Sequence, residues 1–360
     1  MTVITVDLRM LCASGIGTYL RNVVPLIVAG FPDVKFNFIG KIEELQQIKW
    51  MMAENITFVE CKSNIYSIAE QIDLPRLIPK ETSLFWAPHY NVPLLYRRKM
   101  LVTVYDLFHL AMPDLVGGFH KRLYARFMFN AVRKKAAAII TISEFTQKEL
   151  KRFTGNGCTD IHPILLGVDA SWFTIQKQQN PYGKPFLLFV GNVKPHKNLS
   201  TLIKAFGLIA DKIPHDLVII GKKEGFITGD SKVVSDAARL GGRVHFTGYV
   251  DEKSLKQYFA HADVFVFPSL YEGFGLPPLE AMAASCPVIV SHTASLPEVC
   301  GEAALYCSPD SPDDIAAKIL ELVNDDVLKN EMRSKGRSRA GQFTWDNCAA
   351  ETAQVIKNLL

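Results

Sequence analysis

At 360 residues the chain is long for one domain, so two are expected, and its 48% hydrophobic content supports a sizeable core and excludes a disordered protein. A net charge of +4 is too mild for a nucleic-acid-binding protein, which needs a strongly basic domain or stripe. Seven cysteines, an odd number without a C-x-x-C pair, argue against a disulfide framework or a zinc site and for a reducing compartment.

The opening MTVITVDLRM reads as a strand and lacks a signal-peptide core. No apolar run approaches the roughly 18 residues of a membrane span, so a cytoplasmic chain is expected. In chain order, strands are predicted at Val3–Leu8, Val34–Ile39, Ile56–Val59, Leu84–Ala87, Leu101–Tyr105, Ala138–Ile142 and Ile161–Leu166. The theme returns at Phe186–Val190, Asp216–Ile220, Arg243–Phe246, Val264–Phe267, Val288–Ser291 and Ala304–Tyr306. Helical patterns lie between most of them. Alternating β and α segments with nearly all-apolar strands predict an α/β protein whose parallel sheets are covered on both faces.

A polar, aperiodic stretch after Trp172, ending at Pro185, reads as an interdomain linker. This predicts two doubly wound, Rossmann-like domains, 1–172 and 173–344, with ligands expected in the cleft where the carboxyl ends of the sheets meet. The last segment, 345–360, has apolar residues at Ala349, Ala353, Val355 and Leu359, which fits an amphipathic helix.

Several strand ends carry residues suited to chemistry. After the first strand, Ser14, Gly15 and Gly17 make a small-residue turn into a helix, where backbone can approach a ligand. It fails as a dinucleotide fingerprint because Leu20 stands in the third glycine's place. Asp106 and His109 follow the fifth strand and can transfer protons or bind sugar hydroxyls; a capping aspartate and a structural histidine are the plainer reading. His89 and Asn91 also follow a strand. The segment 119–135, FHKRLYARFMFNAVRKK, interleaves aromatic and basic residues, which suits a membrane surface or an anionic acceptor as well as an ordinary surface helix. After Phe186–Val190 the turn Gly191, Asn192, Lys194, His196, Lys197 is basic and leads into a helix, a place where lysine can meet phosphate as a point charge.

The densest pattern is 264–291, VFVFPSLYEGFGLPPLEAMAASCPVIVS. An apolar strand breaks at Pro268, Gly273 and Gly275 flank Phe274 in a turn, and Pro277 and Pro278 open a helix. Glu272 and Glu280 bracket that helix start. Backbone N–H groups and the helix dipole suit a diphosphate there, and the carboxylates suit hydroxyls.

These motifs resemble the GT-B-fold glycosyltransferases of family 4, retaining enzymes that use nucleotide sugars. Glu272 to Glu280 fits the E-x7-E signature. Supporting matches are SGIGTYL, TISEFTQKEL (141–150), LLGVDASWF (165–173), GNVKPHKNL (191–199) and SLPEVCGEAALYCSPD (295–310), in order along nearly the whole chain.

The resemblance implies that Lys197 contacts the donor diphosphate and that Glu272 lies by the donor hexose, where its charge can stabilise an oxocarbenium ion. It also implies that the backbone of Gly273, Phe274, Gly275 and Leu276 binds sugar and phosphate, that Glu280 holds the ribose hydroxyls, and that Gly15 lies near diphosphate and acceptor. Gly17 and Asn192 are grouped with the donor-binding residues, and Asp106 and His109 with Glu272 as catalytic candidates. The resemblance further implies that 1–172 is the acceptor-side domain, with the terminal helix 345–360 packing back on it, and 173–344 the nucleotide-sugar donor domain; no metal or other cofactor is expected.

The chain departs from the family at Tyr105, where many relatives have histidine, and at Ser285, where glycine is common. Asn192, Lys194 and His196 stand where an arginine is frequent. The wording of EGFGLPPLEAM and KPHKNL is similar to bacterial mannosyltransferases of surface polysaccharide assembly. GDP-mannose is thus the expected donor and a glycan or lipid-linked saccharide the acceptor; UDP-hexoses and dTDP-rhamnose stay open. A non-catalytic sugar-nucleotide-binding module, a GT-B epimerase and a pyridoxal-phosphate phosphorylase are the alternatives.

Overall fold

The computed structural model describes residues 2–157, 159–221 and 231–360. The chain divides into two compact units, Met1–Gly167 with Thr344–Leu360, and Val168–Phe343. The polar stretch before Pro185 therefore belongs to the second unit, where Trp172 packs edge-on against Phe259.

Unit 1 holds β1 (Val3–Asp7), β2 (Lys35–Gly40), β3 (Ile56–Glu60), β4 (Leu84–Ala87), β5 (Met100–Val104), β6 (Ala138–Thr141) and β7 (Asp160–Pro163). Their order is β3-β2-β1-β4-β5-β6-β7, and every pairing is parallel. β1, β4 and β5 are buried along their whole length, as strands covered on both faces must be. The order reverses between β1 and β4, so the carboxyl ends of these two strands flank a crevice suited to a ligand.

The helix Ile16–Gly30 buries Tyr19, Leu20, Val23, Val24 and Ile27, a stripe at helical spacing. The terminal helix Trp345–Leu359 packs on it. Its buried face is Trp345, Cys348, Ala349, Thr352, Val355 and Ile356, so Ala353 and Leu359 are only half-buried. Thr344 caps the helix, its hydroxyl accepting from the Asn347 N–H at 3.1 Å. Gly167 lies so close to this cap that a Cβ would fall 2.2 Å from the Trp345 nitrogen.

Unit 2 holds β8 (Phe186–Val190), β9 (Asp216–Ile220), β10 (Val244–Gly248), β11 (Val264–Phe267), β12 (Val288–Ser291) and β13 (Leu305–Cys307), in the order β10-β9-β8-β11-β12-β13, again all parallel. Here the reversal falls between β8 and β11. Each predicted strand is present, with ends displaced by a few residues. β7 differs most, stopping at Pro163 rather than Leu166, because Ile164 to Leu166 run beyond the last rung paired with β6. Among the described residues no helix is long and apolar enough to cross a membrane.

Candidate active site

In unit 2 the turns after β8 and β11 are clamped together at the switch point. The Leu270 N–H donates to the His196 carbonyl at 2.7 Å. Asn198 takes a left-handed conformation, φ 59°, from which its amide donates to the Pro268 (3.0 Å) and Pro309 (2.7 Å) carbonyls and accepts from Thr201 (2.6 Å). Asparagine tolerates that backbone better than most residues. The clamp aims Lys197 across the gap. Its Nζ lies 2.6 Å from Glu272 Oε1 and 5.0 Å from the centre of the Phe267 ring. Both side chains are mostly buried, at 16% and 13% exposure, so the pair is short and poorly screened.

The glycine turn is held from behind. The Ser295 hydroxyl reaches the Glu272 (2.9 Å) and Phe274 (2.6 Å) carbonyls. Phe274 is buried and packs edge-on against Phe343, so its side chain belongs to the core. Gly275 has φ 123°, and a Cβ there would lie 2.9 Å from Leu296. The helix Leu276–Ala283 follows with no side-chain cap.

Its N-terminus is poorer in donors than the dipole argument expected. Pro277 and Pro278 have no N–H, so of the first three helical residues only Leu276 can donate. Glu280, one turn on, is half-buried. Burial and the Glu252 carboxylate push its pKa up to about 8, with Lys256 opposing. Lys256 itself is engaged, 2.6 Å from Glu252 Oε1 and 2.7 Å from the Ser171 hydroxyl.

On the basic turn, burial and then Lys197 and Lys194 drive His196 down to about 3, so it is neutral at physiological pH and cannot replace an arginine's charge. Asn192 and Lys194 are exposed. Ser285 adopts φ 60°, the region that explains the glycine common at that position.

The remaining candidates lie in unit 1. Gly15 is exposed with φ 70° at the start of the helix Ile16–Gly30. Gly17 is buried, and a Cβ on it would fall 2.3 Å from the Leu11 carbonyl; packing alone demands glycine there. Asp106 Oδ1 accepts from the Phe108 N–H at 2.9 Å, and His109 sits in the short helix Phe108–Ala111, its ring 6.3 Å from Tyr90. The Tyr105 hydroxyl is buried without a hydrogen-bond partner among the described residues, beside Tyr19, and burial holds its pKa far up. It has no means of moving a proton in place of a histidine.

Sequence reasoning missed a buried ionic hub at the β1/β4 switch point. Arg9 grips Asp7 with two bonds, Nε–Oδ1 at 2.9 Å and Nη2–Oδ2 at 2.6 Å, and Nη2 also lies 2.6 Å from Glu70 Oε1. His89 Nε2 is 3.2 Å from Asp7 Oδ2, while its Nδ1 accepts from the Asn91 N–H at 3.2 Å. With Nδ1 accepting, Nε2 carries the hydrogen that faces Asp7. Asn91 donates to Glu70 and accepts from the Tyr124 hydroxyl. Burial opposes ionisation of Asp7, but Arg9 and then His89 outweigh it and hold its carboxyl well below the usual range.

The GT-B fold is the class this arrangement fits: two parallel α/β units, one with a lysine and two glutamates at its switch point. Solved structures share the fold. Sucrose-phosphate synthase from Thermosynechococcus elongatus superposes with a TM-score of 0.81 at 18% identity, covering 100% of this chain and 99% of that one. HepE from Anabaena, solved with UDP and glucose, gives 0.75 at 16% identity over 99% and 100%.

Residues 171–339, which lie within the second unit, match the family described as Glycosyl transferases group 1. Among curated relatives, O-antigen chain mannosyltransferase B of Escherichia coli is 29% identical over 293 residues, 77% of this chain and 74% of that protein. The O-antigen chain mannosyltransferase RfbU of Salmonella typhimurium is 32% identical over 222 residues, 62% of this chain and 60% of that protein.

Proposed function

We propose that the chain transfers mannose from GDP-mannose, with retention, to a glycan or lipid-linked saccharide in surface polysaccharide assembly. The Lys197–Glu272 pair carries this reading: a cation and a carboxylate 2.6 Å apart, mostly buried, at the switch point of the donor-type unit. The names of the O-antigen relatives support mannose and a polysaccharide acceptor. In the reaction the acceptor oxygen bonds to the anomeric carbon as the carbon–oxygen bond to diphosphate breaks, and the acceptor proton passes to the leaving diphosphate. Lys197 draws the diphosphate's charge, Glu272 faces the sugar and opposes the positive charge that develops on it, and Glu280 accepts from the ribose hydroxyls. Cationic side chains rather than a metal neutralise the leaving group. The acceptor is held at a membrane face by the basic, aromatic start of the helix Phe119–Lys135.

A thermal-shift panel of GDP-mannose, UDP-glucose, UDP-galactose and dTDP-rhamnose tests the donor, since a ligand specific to the folded state raises Tm. GDP-mannose is expected to give the largest rise, and a larger rise with UDP- or dTDP-sugars would replace it. Glu272→Ala is expected to lower kcat by about a thousandfold, and Lys197→Ala to raise donor KM. Transfer is expected to persist in excess EDTA. Wild-type turnover by Glu272→Ala would sink the assignment of the site.

A further inference from the structure

The glycine turn of unit 2 rests on a short helix that is itself held at its far end. Ser295 and Leu296, both fully buried, meet the turn. The Ser295 hydroxyl bonds the Glu272 and Phe274 carbonyls, and Leu296 fills the space that a Cβ on Gly275 would need. Together they start the helix Leu296–Cys300. A helix of five residues leaves most of its carbonyls without an intrahelical partner. The Gly301 N–H serves the Pro297 carbonyl. Arg339 serves the next two, donating from Nη2 to Glu298 at 2.7 Å and from Nε to Val299 at 2.9 Å.

Arg339 reaches the turn by a second route. Its guanidinium lies 4.8 Å from the centre of the Phe343 ring, and buried Phe343 packs edge-on against Phe274 with centroids 5.9 Å apart. Nη1 donates to Gln342 Oε1 at 2.7 Å, and the Phe343 carbonyl accepts from the Val168 N–H at 3.1 Å, so guanidinium and ring are both fixed. The helix that carries Arg339, Asp326–Ala340, also lies close against the helix Leu276–Ala283. A Cβ on Gly336 would fall 3.2 Å from Met282 Cγ, and Arg337 donates to the Ala283 carbonyl at 3.3 Å. A planar fork bonded through three nitrogens is rigid in a way that a lysine cannot copy.

We propose that Arg339 and Phe343 are positioning residues for the glycine turn. They touch no ligand. They act through Phe274 on one side and through Ser295 and Leu296 on the other, and set the angle at which the backbone of 273–276 meets a sugar diphosphate. For the ligand this rests on the transferase reading; the brace itself rests on the contacts around Arg339.

Two measurements test it. Titration with GDP-mannose and with guanosine separates positioning from stability, because guanosine carries neither phosphate nor hexose. Arg339→Met and Phe343→Leu are each expected to raise the Kd for GDP-mannose about tenfold and to change that for guanosine by less than about twofold. Arg339→Lys keeps the charge without the fork and is expected to recover only part of the loss. Equal weakening of both ligands, or full recovery by Arg339→Lys, overturns the brace. Hydrogen exchange of the ligand-free chain is the second arm. In Arg339→Met and Phe343→Leu the amides of the helix Leu276–Ala283 are expected to exchange at least about tenfold faster, with those of β8 and β11 unchanged. Wild-type exchange in that helix overturns the brace. If GDP-mannose does not bind the wild-type chain, the donor reading fails, and the exchange arm still decides the brace.

Discussion

At Glu280 burial and the proposed ribose contact pull one carboxyl in opposite directions. Burial and Glu252 hold it at about 8 against an ordinary 4.5. Between those values the folded chain keeps a proton that the unfolded chain has lost, so stability falls as pH rises through this window and the loss is complete above about 8. A ribose diol donates best to the ionised carboxylate, so donor binding below pH 8 is expected to release a proton. Glu280→Gln keeps the shape and removes the charge. It is expected to raise Tm relative to wild type increasingly from pH 6 to 9, and to weaken GDP binding about tenfold at pH 8. Calorimetry in two buffers of different ionisation enthalpy checks the proton release. A Tm difference independent of pH would remove the account.

Residue by residue, the sequence announced what stands beside glycine and proline. Glu272, Gly275 and Glu280 were visible because turn residues punctuate them, and Lys197 because it follows an apolar strand. Asp7, Arg9 and Glu70 were not. Arg9 and Glu70 are 61 positions apart, Asp7 and His89 82, and an acid or base near a strand end reads as solvated until burial is known. Ser295 and Asn198 escaped for the same reason: their roles are hydrogen bonds to backbone carbonyls distant in sequence.

At the scale of elements, the pattern gave each strand because parallel strands buried on both faces are uninterrupted apolar runs. It misjudged the N-terminus of Leu276–Ala283, where the prolines that start the helix also delete its donors. The dipole survives that loss and the donor count does not. The helix Phe119–Lys135 is more telling in three dimensions than in sequence. Phe119, Leu123 and Phe127, four residues apart, form one exposed stripe, with Lys121, Arg122 and Arg126 exposed around it, while Ala125, Met128, Phe129 and Val132 anchor the helix to the core. A stripe of this kind fits an anionic lipid surface. Vesicles containing anionic lipid are expected to sediment the chain, and vesicles of neutral lipid are not. Phe119→Ser with Phe127→Ser should weaken the association at least about tenfold, since each ring buried in lipid contributes about 1.5–3 kcal/mol. Equal sedimentation by neutral vesicles would exclude a basic docking helix.

For the whole molecule, the chain enters unit 2 after Gly167 and returns to unit 1 at Thr344, so the first unit is completed only by the segment Thr344–Leu360. Trp345, Val355 and Ile356 are buried against unit 1, each contributing about 1.5–3 kcal/mol, together a large part of a typical margin of about 5–15 kcal/mol. Removing 344–360 would also strip the helix Ile16–Gly30 of the helix packed on it. The truncated chain is therefore expected to lose hydrogen-exchange protection in β1, β4 and β5 while the amides of β8, β9 and β11 stay protected, because unit 2 keeps its own core. Sheet order sharpens the expectation: β1 and β4 are central strands of unit 1, and central strands exchange only when the unit opens as a whole. Protection of β1 and β4 equal to that in the full chain would show that the first unit folds without its terminal helix.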